Sequence, residues 1–286
     1  MTAYFEKLTE KADATRLSQA FDGVGKPALT AQGTTLSNVC KLLRLDLTTK
    51  DVVQDAVFQH QRFKPGQHVY RMGQAFEALY VVNAGFLKTE VFDSEGNERV
   101  VFFPMKGDLL GSDGISNDRH ASDVTALSDC DLIVIPFRKL LALGHSCKEL
   151  EHIIYRAVSS QIVREHASLA TLGVLRSDAR VARFLSMQAE HHASLNYSSQ
   201  SFLLRMTRRE IGNYLGLRFE TVSRAMSALD SAGIISVSQR AITILKPEVL
   251  RSFNPFSCVS TIKTSELSQR LIARYPESPV HYGVSP

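Results

Sequence analysis

Within Met206 to Ile235, "MTRREIGNYLGLRFETVSRAMSALDSAGII", three residues have the chemistry to read base edges: Glu220, Ser223 and Arg224. On a helix Glu220 and Arg224 are four apart and share a face. Arg224 can donate two hydrogen bonds to guanine O6 and N7, Glu220 can accept from cytosine N4, and Ser223 is small enough for a base or a phosphate contact. Thr207, Arg208, Arg209, Arg218 and Thr221 surround them and suit phosphate contacts, which position a domain without reading sequence. Taken singly, each has a plainer explanation. Glu220 with Arg224 can be a solvated i,i+4 pair, and Glu210 is accounted for by helix capping.

The elements that must hold these side chains are legible around them. Thr207 followed by Glu210 is a capping box that starts a helix, with Ile211, Tyr214 and Leu215 turned inward. Gly216 ends it, and Leu217 packs into the corner. A second helix runs from about Phe219 to Ser231, burying Val222, Met226 and Leu229, and Gly233 stops it. Two short helices about a glycine turn make a helix-turn-helix. Ile234 to Leu245, with a turn at Ser238 to Arg240, reads as a two-stranded wing. The whole constellation predicts double-stranded DNA as a partner.

Upstream, Asp178 to Ala189 reads as a helix with Val181, Ala182, Phe184 and Leu185 inward, followed by a polar linker from His191 to Gln200. Between Cys147 and Leu175 there is no proline and one glycine, Gly173, and apolar residues recur at helical spacing. Leu150, Ile154, Val158 and Ile162 form a stripe that predicts pairing with a second copy. Its alternative role is to cover a neighbouring β domain. From Phe58 to Phe137 short runs rich in β-branched and aromatic residues alternate with glycines, which implies a sandwich or barrel. In "FLKTEVF" the alternation puts Phe86, Lys88 and Glu90 on one side and Leu87, Thr89 and Val91 on the other. Asp93 to Glu98 is a hairpin turn. Tyr4 to Ala20 suits a short amphipathic helix, and Asp22 to Thr35 reads as loop or disorder. A helix at Ser265 to Ala273 interrupts an otherwise loosely held tail.

At 286 residues the chain can hold one large or two ordinary domains. A net charge of +4 is too mild for a histone-like tail. Cysteines 40, 130, 147 and 258 form no CxxC and no zinc-spaced cluster, and the histidines include no HExxH, so neither a metal site nor catalytic residues are expected. The absence of a disulfide framework, a signal peptide and an apolar run of membrane-spanning length places the chain in the cytoplasm as an expectation. Cys40 is the thiol candidate for redox chemistry if it reaches solvent. Cys130 and Cys147 read as small apolar residues.

Taken together, "FKPGQHVYRMGQAFEALYVVNAGFLK", "KGDLLG", "VIPF" and "MTRREIGNYLGLRFETVSR" resemble the Crp/Fnr superfamily of bacterial transcription regulators, over roughly residues 55 to 247. The last motif is similar to the Fnr branch. The resemblance implies an α+β fold: a cupin-like β-roll sensor, a long dimerisation helix and a C-terminal winged helix-turn-helix. The corresponding division is an N-terminal extension, partly disordered (1–45), the roll (46–146), the dimerisation helix (147–176), the DNA-binding domain (177–250) and a tail (251–286). It also implies a homodimer reading a palindrome of TTGAT/C-type half-sites through Glu220, Ser223 and Arg224. Phe219 stands where the cyclic-AMP receptor has an arginine, which argues against that receptor's half-site. The hairpin residues Asp93, Glu95 and Glu98 correspond to surfaces that touch RNA polymerase, with an ordinary solvated turn as the alternative.

The family's two best-known cofactors fit this sequence poorly. Fnr-type oxygen sensors hold an iron–sulfur cluster on four thiolates. Here "LSNVC", ending at Cys40, resembles the end of that motif, while the earlier ligand positions are Ala31 and Thr34 and the roll position falls near Ile133. No cluster is expected. Nucleotide-binding relatives place a glutamate after "GDxxG" and an Arg-Ser pair later in the loop. The corresponding positions are Ser112 and, near them, His120 and Ala121, with Arg119 next door. That leaves regulation by an unidentified small molecule, by a thiol change or by abundance alone, with Ser112, Asp113, Arg119 and His120 as an effector's loop, or as a loop that is merely solvated. The remaining alternatives are a cyclic-nucleotide-responsive regulator and a ligand-binding module whose C-terminal domain binds protein. An enzyme on the roll has no suitably spaced ligands.

Overall fold

The computed structural model describes residues 29–44, 56–146, 155–163, 166 and 176–252. Predicted helices at Tyr4 to Ala20 and Ser265 to Ala273 lie outside these residues, as do Leu150, Ile154, Cys147 and Cys258.

The N-terminal half is a double-layered β structure. One sheet has five strands in the order β1-β2-β9-β4-β7 and the other four in the order β3-β8-β5-β6. In chain order these are β1 (Leu29–Thr35), β2 (Val57–Phe63), β3 (His68–Tyr70), β4 (Ala78–Ala84), β5 (Leu87–Phe92), β6 (Glu98–Phe102), β7 (Leu109–Leu110), β8 (Asp123–Ala126) and β9 (Cys130–Pro136). All neighbours are antiparallel.

The period of two along the central strands explains the layering. In β4, Ala78, Tyr80 and Val82 face the interior between the sheets, while Leu79 and Val81 join a second cluster on the outer face. Strand β9 does the same with Leu132 inside and Ile133 and Ile135 outside. Helices cover the outer face: α1 (Leu36–Leu42) contributes Leu36, Val39 and Cys40, and α2 (Phe137–Ser146) contributes Leu140. A helical stretch, α3 (155–163), adds Ala157, with Val158 packed at the edge.

Two expectations are corrected here. Leu29–Thr35 is a strand rather than loop, paired antiparallel with β2, so the roll's sheet begins well before residue 46. Its Gly33 and its threonines carried no hydrophobic signal; pairing with β2 defines it. Strand β5 also does not alternate cleanly, since Glu90 is buried and Thr89 and Val91 are only half-buried. A register shift at Thr89/Glu90 breaks the period, and Lys88 neutralises Glu90 at 2.7 Å.

The C-terminal domain comprises α4 (Ser177–Ser194), β10 (Ser201–Leu203), α5 (Arg208–Leu215), α6 (Phe219–Ser231), β11 (Ile235–Ser238), β12 (Ala241–Ile244) and α7 (Pro247–Ser252). Helix α4 runs through the "HHAS" assigned to a linker. The reason is His192, which is buried and whose Nδ1–H donates to the Gln188 carbonyl at 2.7 Å, one turn back. The wing has three strands, in the order β10-β12-β11, rather than two. Val181, Ala182, Phe184, Leu185, Ile211, Tyr214, Leu215, Val222, Met226 and Leu229 are all in the core, as their spacing predicts. Val100 and Phe103 of the roll belong to this same cluster, so the two halves share apolar packing.

Candidate DNA interface

Thr207 caps α5 in a reciprocal capping box: its Oγ1 accepts from Glu210 N at 3.2 Å, and its own N–H donates to Glu210 Oε2 at 2.7 Å. The other carboxylate oxygen of Glu210 lies 3.4 Å from Lys88 Nζ of the roll. Gly216, at φ 64°, makes the left-handed turn between the helices. Gly212 is required for a different reason. Its carbonyl accepts from Leu217 N at 2.8 Å, and a Cβ there would stand 2.6 Å from Leu217 O.

Helix α6 buries Val222, Ala225, Met226 and Leu229. Its opposite side carries Glu220 and Arg224, both exposed, with Ser223 half-buried beside them. No ion pair or hydrogen bond within the described chain occupies Glu220 or Arg224, so they are not a closed pair. Arg208, Arg209 and Arg218 are exposed on the same two-helix unit, Thr207 is exposed, and Thr221 is half-buried in the first turn of α6. Arg218 is the N-cap of α6 and gives no side-chain cap, which leaves first-turn N–H groups and the positive end of the helix dipole facing outward. Phe219 is 49% exposed on that turn.

The roll meets this unit at its hairpin. Asn213 accepts from Val100 N at 2.7 Å and donates to the Glu98 carbonyl at 3.0 Å. This bridging asparagine was not singled out from the sequence; only its position on a helix opposite the hairpin reveals it. Of the predicted polymerase-facing residues, Glu95 and Glu98 are exposed. The Asp93 carboxylate is spent inside the turn, accepting from Glu95 N and Asn97 N at 2.9 Å each.

The effector loop splits into two groups. A cavity of about 390 Å³ lies between the sheets, α3 and α5, lined among others by Tyr70, Thr89, Arg99, Ser112, Asp113, Gln161 and Tyr214. Ser112 Oγ donates to Gln161 Oε1 at 2.9 Å, joining the loop to α3. Asp113 accepts from Ser122 Oγ and Ala121 N at 2.7 and 2.9 Å. Arg119 and His120 do not line the cavity. Arg119 donates to the Gly73 carbonyl at 2.7 Å, and His120 is buried, stacked on Tyr70 with ring centroids 3.7 Å apart. Thr89 Oγ1 is enclosed there without a partner.

Along α3, the described part of the stripe divides into two sets. Ala157 and Val158 pack on the roll, while Tyr155, Ile162 and Val163 are exposed, Ile162 at 46%. Cys40 is buried in the outer cluster, which pushes its thiol up to about 11, and Cys130 is buried between the sheets. Among the described residues no group of three or more His, Cys, Asp or Glu side chains is placed to hold a metal, and no helix is long and apolar enough to cross a membrane.

A β-roll with a cavity, packed against a winged helix-turn-helix, is the architecture of a DNA-binding regulator. Residues 60–146 match the cyclic nucleotide-binding domain, and 179–253 match the Crp-like helix-turn-helix domain. The transcriptional regulatory protein btr of Bordetella pertussis is 35% identical over 210 residues, 73% of this chain and 87% of that protein. The fumarate and nitrate reduction regulatory protein of Yersinia pestis is 31% identical over 226 residues, covering 79% of this chain and 90% of that one. The structure of FixK2 from Bradyrhizobium japonicum superposes with a TM-score of 0.63 at 24% identity, over 70% of this chain and 98% of that chain. The chain belongs to the Crp/Fnr family of DNA-binding transcription regulators, and its relatives are regulators rather than enzymes.

Proposed function

We propose that this regulator acts as a homodimer on a palindrome of TTGAT/C-type half-sites, without an iron–sulfur cluster. The observation that carries the reading is the outward face of α6, where Glu220 and Arg224 stand exposed and unengaged beside Ser223. A bidentate Arg224–guanine contact predicts that Arg224→Ala loses about 1–3 kcal/mol on the cognate site and flattens discrimination at that base. Arg209→Ala, at a phosphate contact, should weaken all sequences alike and lower the salt slope by about one. Binding measured on the palindrome and on a site altered at the guanine decides it; an Arg224→Ala protein that discriminates like wild type refutes the assignment.

Dimerisation is supported by the exposed residues of α3. Ile162→Asp should weaken self-association and operator binding together, as sedimentation would show, because Ile162 contributes little to the single chain's core. Independence from a cluster is supported by Cys40 and Cys130, which are buried in two different clusters, and by Ala31 and Thr34 at ligand positions. These residues do not fit a four-thiolate site. Contact with RNA polymerase through the hairpin rests on Glu95 and Glu98, and Asp93 drops out because its carboxylate holds the turn. Charge reversal at Glu95 and Glu98 should lower transcription with operator affinity unchanged. The effector we assign to the roll cavity is a small molecule touching Ser112 and Asp113. Ser112 and Ala121 at the nucleotide-recognition positions speak against a cyclic nucleotide.

A further inference from the structure

The roll cavity sits where two apolar clusters meet. Tyr70 and Leu110 on its wall belong to the cluster between the sheets, while Val100 and Tyr214 belong to the core of the C-terminal domain. Val91, Val101 and Phe102 add to the apolar part of the lining. Its volume is in the range of small-molecule sites.

The polar groups of the lining are engaged with one another. Ser112 Oγ donates to Gln161 Oε1, and Ser122 Oγ donates to Asp113 Oδ2. Asp113 also accepts from Ala121 N, and its Oδ1 lies 3.4 Å from His120 Nδ1. The Tyr70 hydroxyl accepts from Gly111 N at 3.0 Å, and Tyr214 is not without a partner. Thr89 Oγ1 has none, but it is enclosed and offers nothing to an occupant. Among the described residues Arg99 is the one cation of the wall. Its guanidinium reaches away to the turn between α5 and α6, with Nη2 3.9 Å from where a Cβ on Gly216 would stand. A charged or strongly polar occupant would lose water here and find no idle partner to replace it, and an anion would also meet the Asp113 carboxylate. An apolar occupant has no such loss and gains from leaving water.

We propose that the roll cavity takes an uncharged, predominantly apolar small molecule. This class belongs to the effector already assigned to the cavity and rests on that reading. Because Val100 and Tyr214 line the cavity and also pack in the C-terminal core, an occupant touches both halves at once. No bond is made or broken.

N-phenyl-1-naphthylamine, an uncharged probe that brightens in apolar surroundings, tests this in the full chain without DNA. The expected result is one saturable site per chain. 8-Anilinonaphthalene-1-sulfonate, the same rings with a sulfonate added, should bind at least tenfold more weakly. Decanol should displace the probe, whereas decylamine and cyclic AMP should not. Val101→Asp puts a charge in the lining at a side chain 39% exposed, so it should weaken the probe at least tenfold with the circular dichroism spectrum unchanged. Should that variant fail to fold, Val101→Trp, which fills the cavity from the same position, serves with the same expectation. Leu203→Asp, at an apolar side chain 41% exposed on β10 and outside the cavity, should change nothing. Absence of a saturable site in the folded wild type overturns the proposal. So does tighter binding of the sulfonate or of decylamine, binding indifferent to Val101, or binding lost in Leu203→Asp. Operator affinity with and without saturating probe then tests the effector reading separately, with at least a threefold change expected. No change there removes the effector role and leaves the ligand class in place. A charged compound that occupies the cavity and alone moves operator affinity overturns the class and leaves the effector role.

Discussion

The roll and the recognition helix use their polar side chains in opposite ways. In the roll they are spent inside the fold: His60 pairs with Asp131 at 2.8 Å, Lys88 with Glu90 at 2.7 Å, and Asp113 accepts from Ser122 and Ala121. On α6, Glu220 and Arg224 remain exposed and uncommitted. A side chain already paired must lose that partner before it can take another, whereas a solvated one exchanges water for a ligand at small net cost. The difference therefore separates groups that build the scaffold from groups free to meet DNA. Arg119 and His120 of the effector loop fall into the first set for the same reason.

The comparison has a seam, and it can be broken there. Phe103 comes from the roll but sits in the DNA-binding core, at 5.4 Å from the Tyr214 ring and 6.1 Å from that of Phe184. Phe103→Ala should cost about 3–5 kcal/mol. Denaturant unfolding followed by probes in each half should register the loss in the C-terminal domain; a loss confined to the roll would mean that the two halves are energetically independent. A smaller effect is expected at the capping box. Thr207→Ala should cost about 0.5–2 kcal/mol of C-terminal stability, and it should also loosen Glu210, which faces Lys88 across the seam.

The smallest effects sharpen the description of the roll. Burial works against the Asp113 carboxylate, but hydrogen bonds from His120, Ser122 and Ala121 outweigh it and hold the pKa below its ordinary value. A depressed folded pKa gives stability that is complete above the unfolded value, near about 4, and is lost as pH falls through the folded one. The stability gap between wild type and Asp113→Asn should therefore be constant near neutrality and narrow below about pH 4; a gap that widens on acidification would reverse the assignment. Cys40, with its thiol pushed up to about 11, should resist alkylation in the native protein and react only on unfolding. Rapid labelling of the native protein would restore it as a redox candidate.

The helix-turn-helix was readable in the sequence because its determinants are local. Thr207 to Glu210, Gly216, and the spacing of Val222, Met226 and Leu229 all act within a few residues, and each lies where the pattern puts it. Runs rich in β-branched and aromatic residues likewise announced the strands of the roll. Local patterns say nothing about which strand pairs with which. That is why Leu29–Thr35 read as loop until β2 was seen beside it, and why Ser201–Leu203 was missed as the third strand of the wing.

What the sequence determined alone was the type of each strongly periodic element and the identity of the outward-facing set on α6, since helical geometry assigns faces from spacing. What the tertiary structure decided were the partners. Asn213 bridging to the hairpin, Ser112 reaching Gln161, His120 turned away behind Tyr70, and Arg183 enclosed with idle donors each join residues brought together only by packing. Burial and hydrogen-bond satisfaction depend on what lies across a contact, and contacts distant in sequence are set by how the layers close on one another.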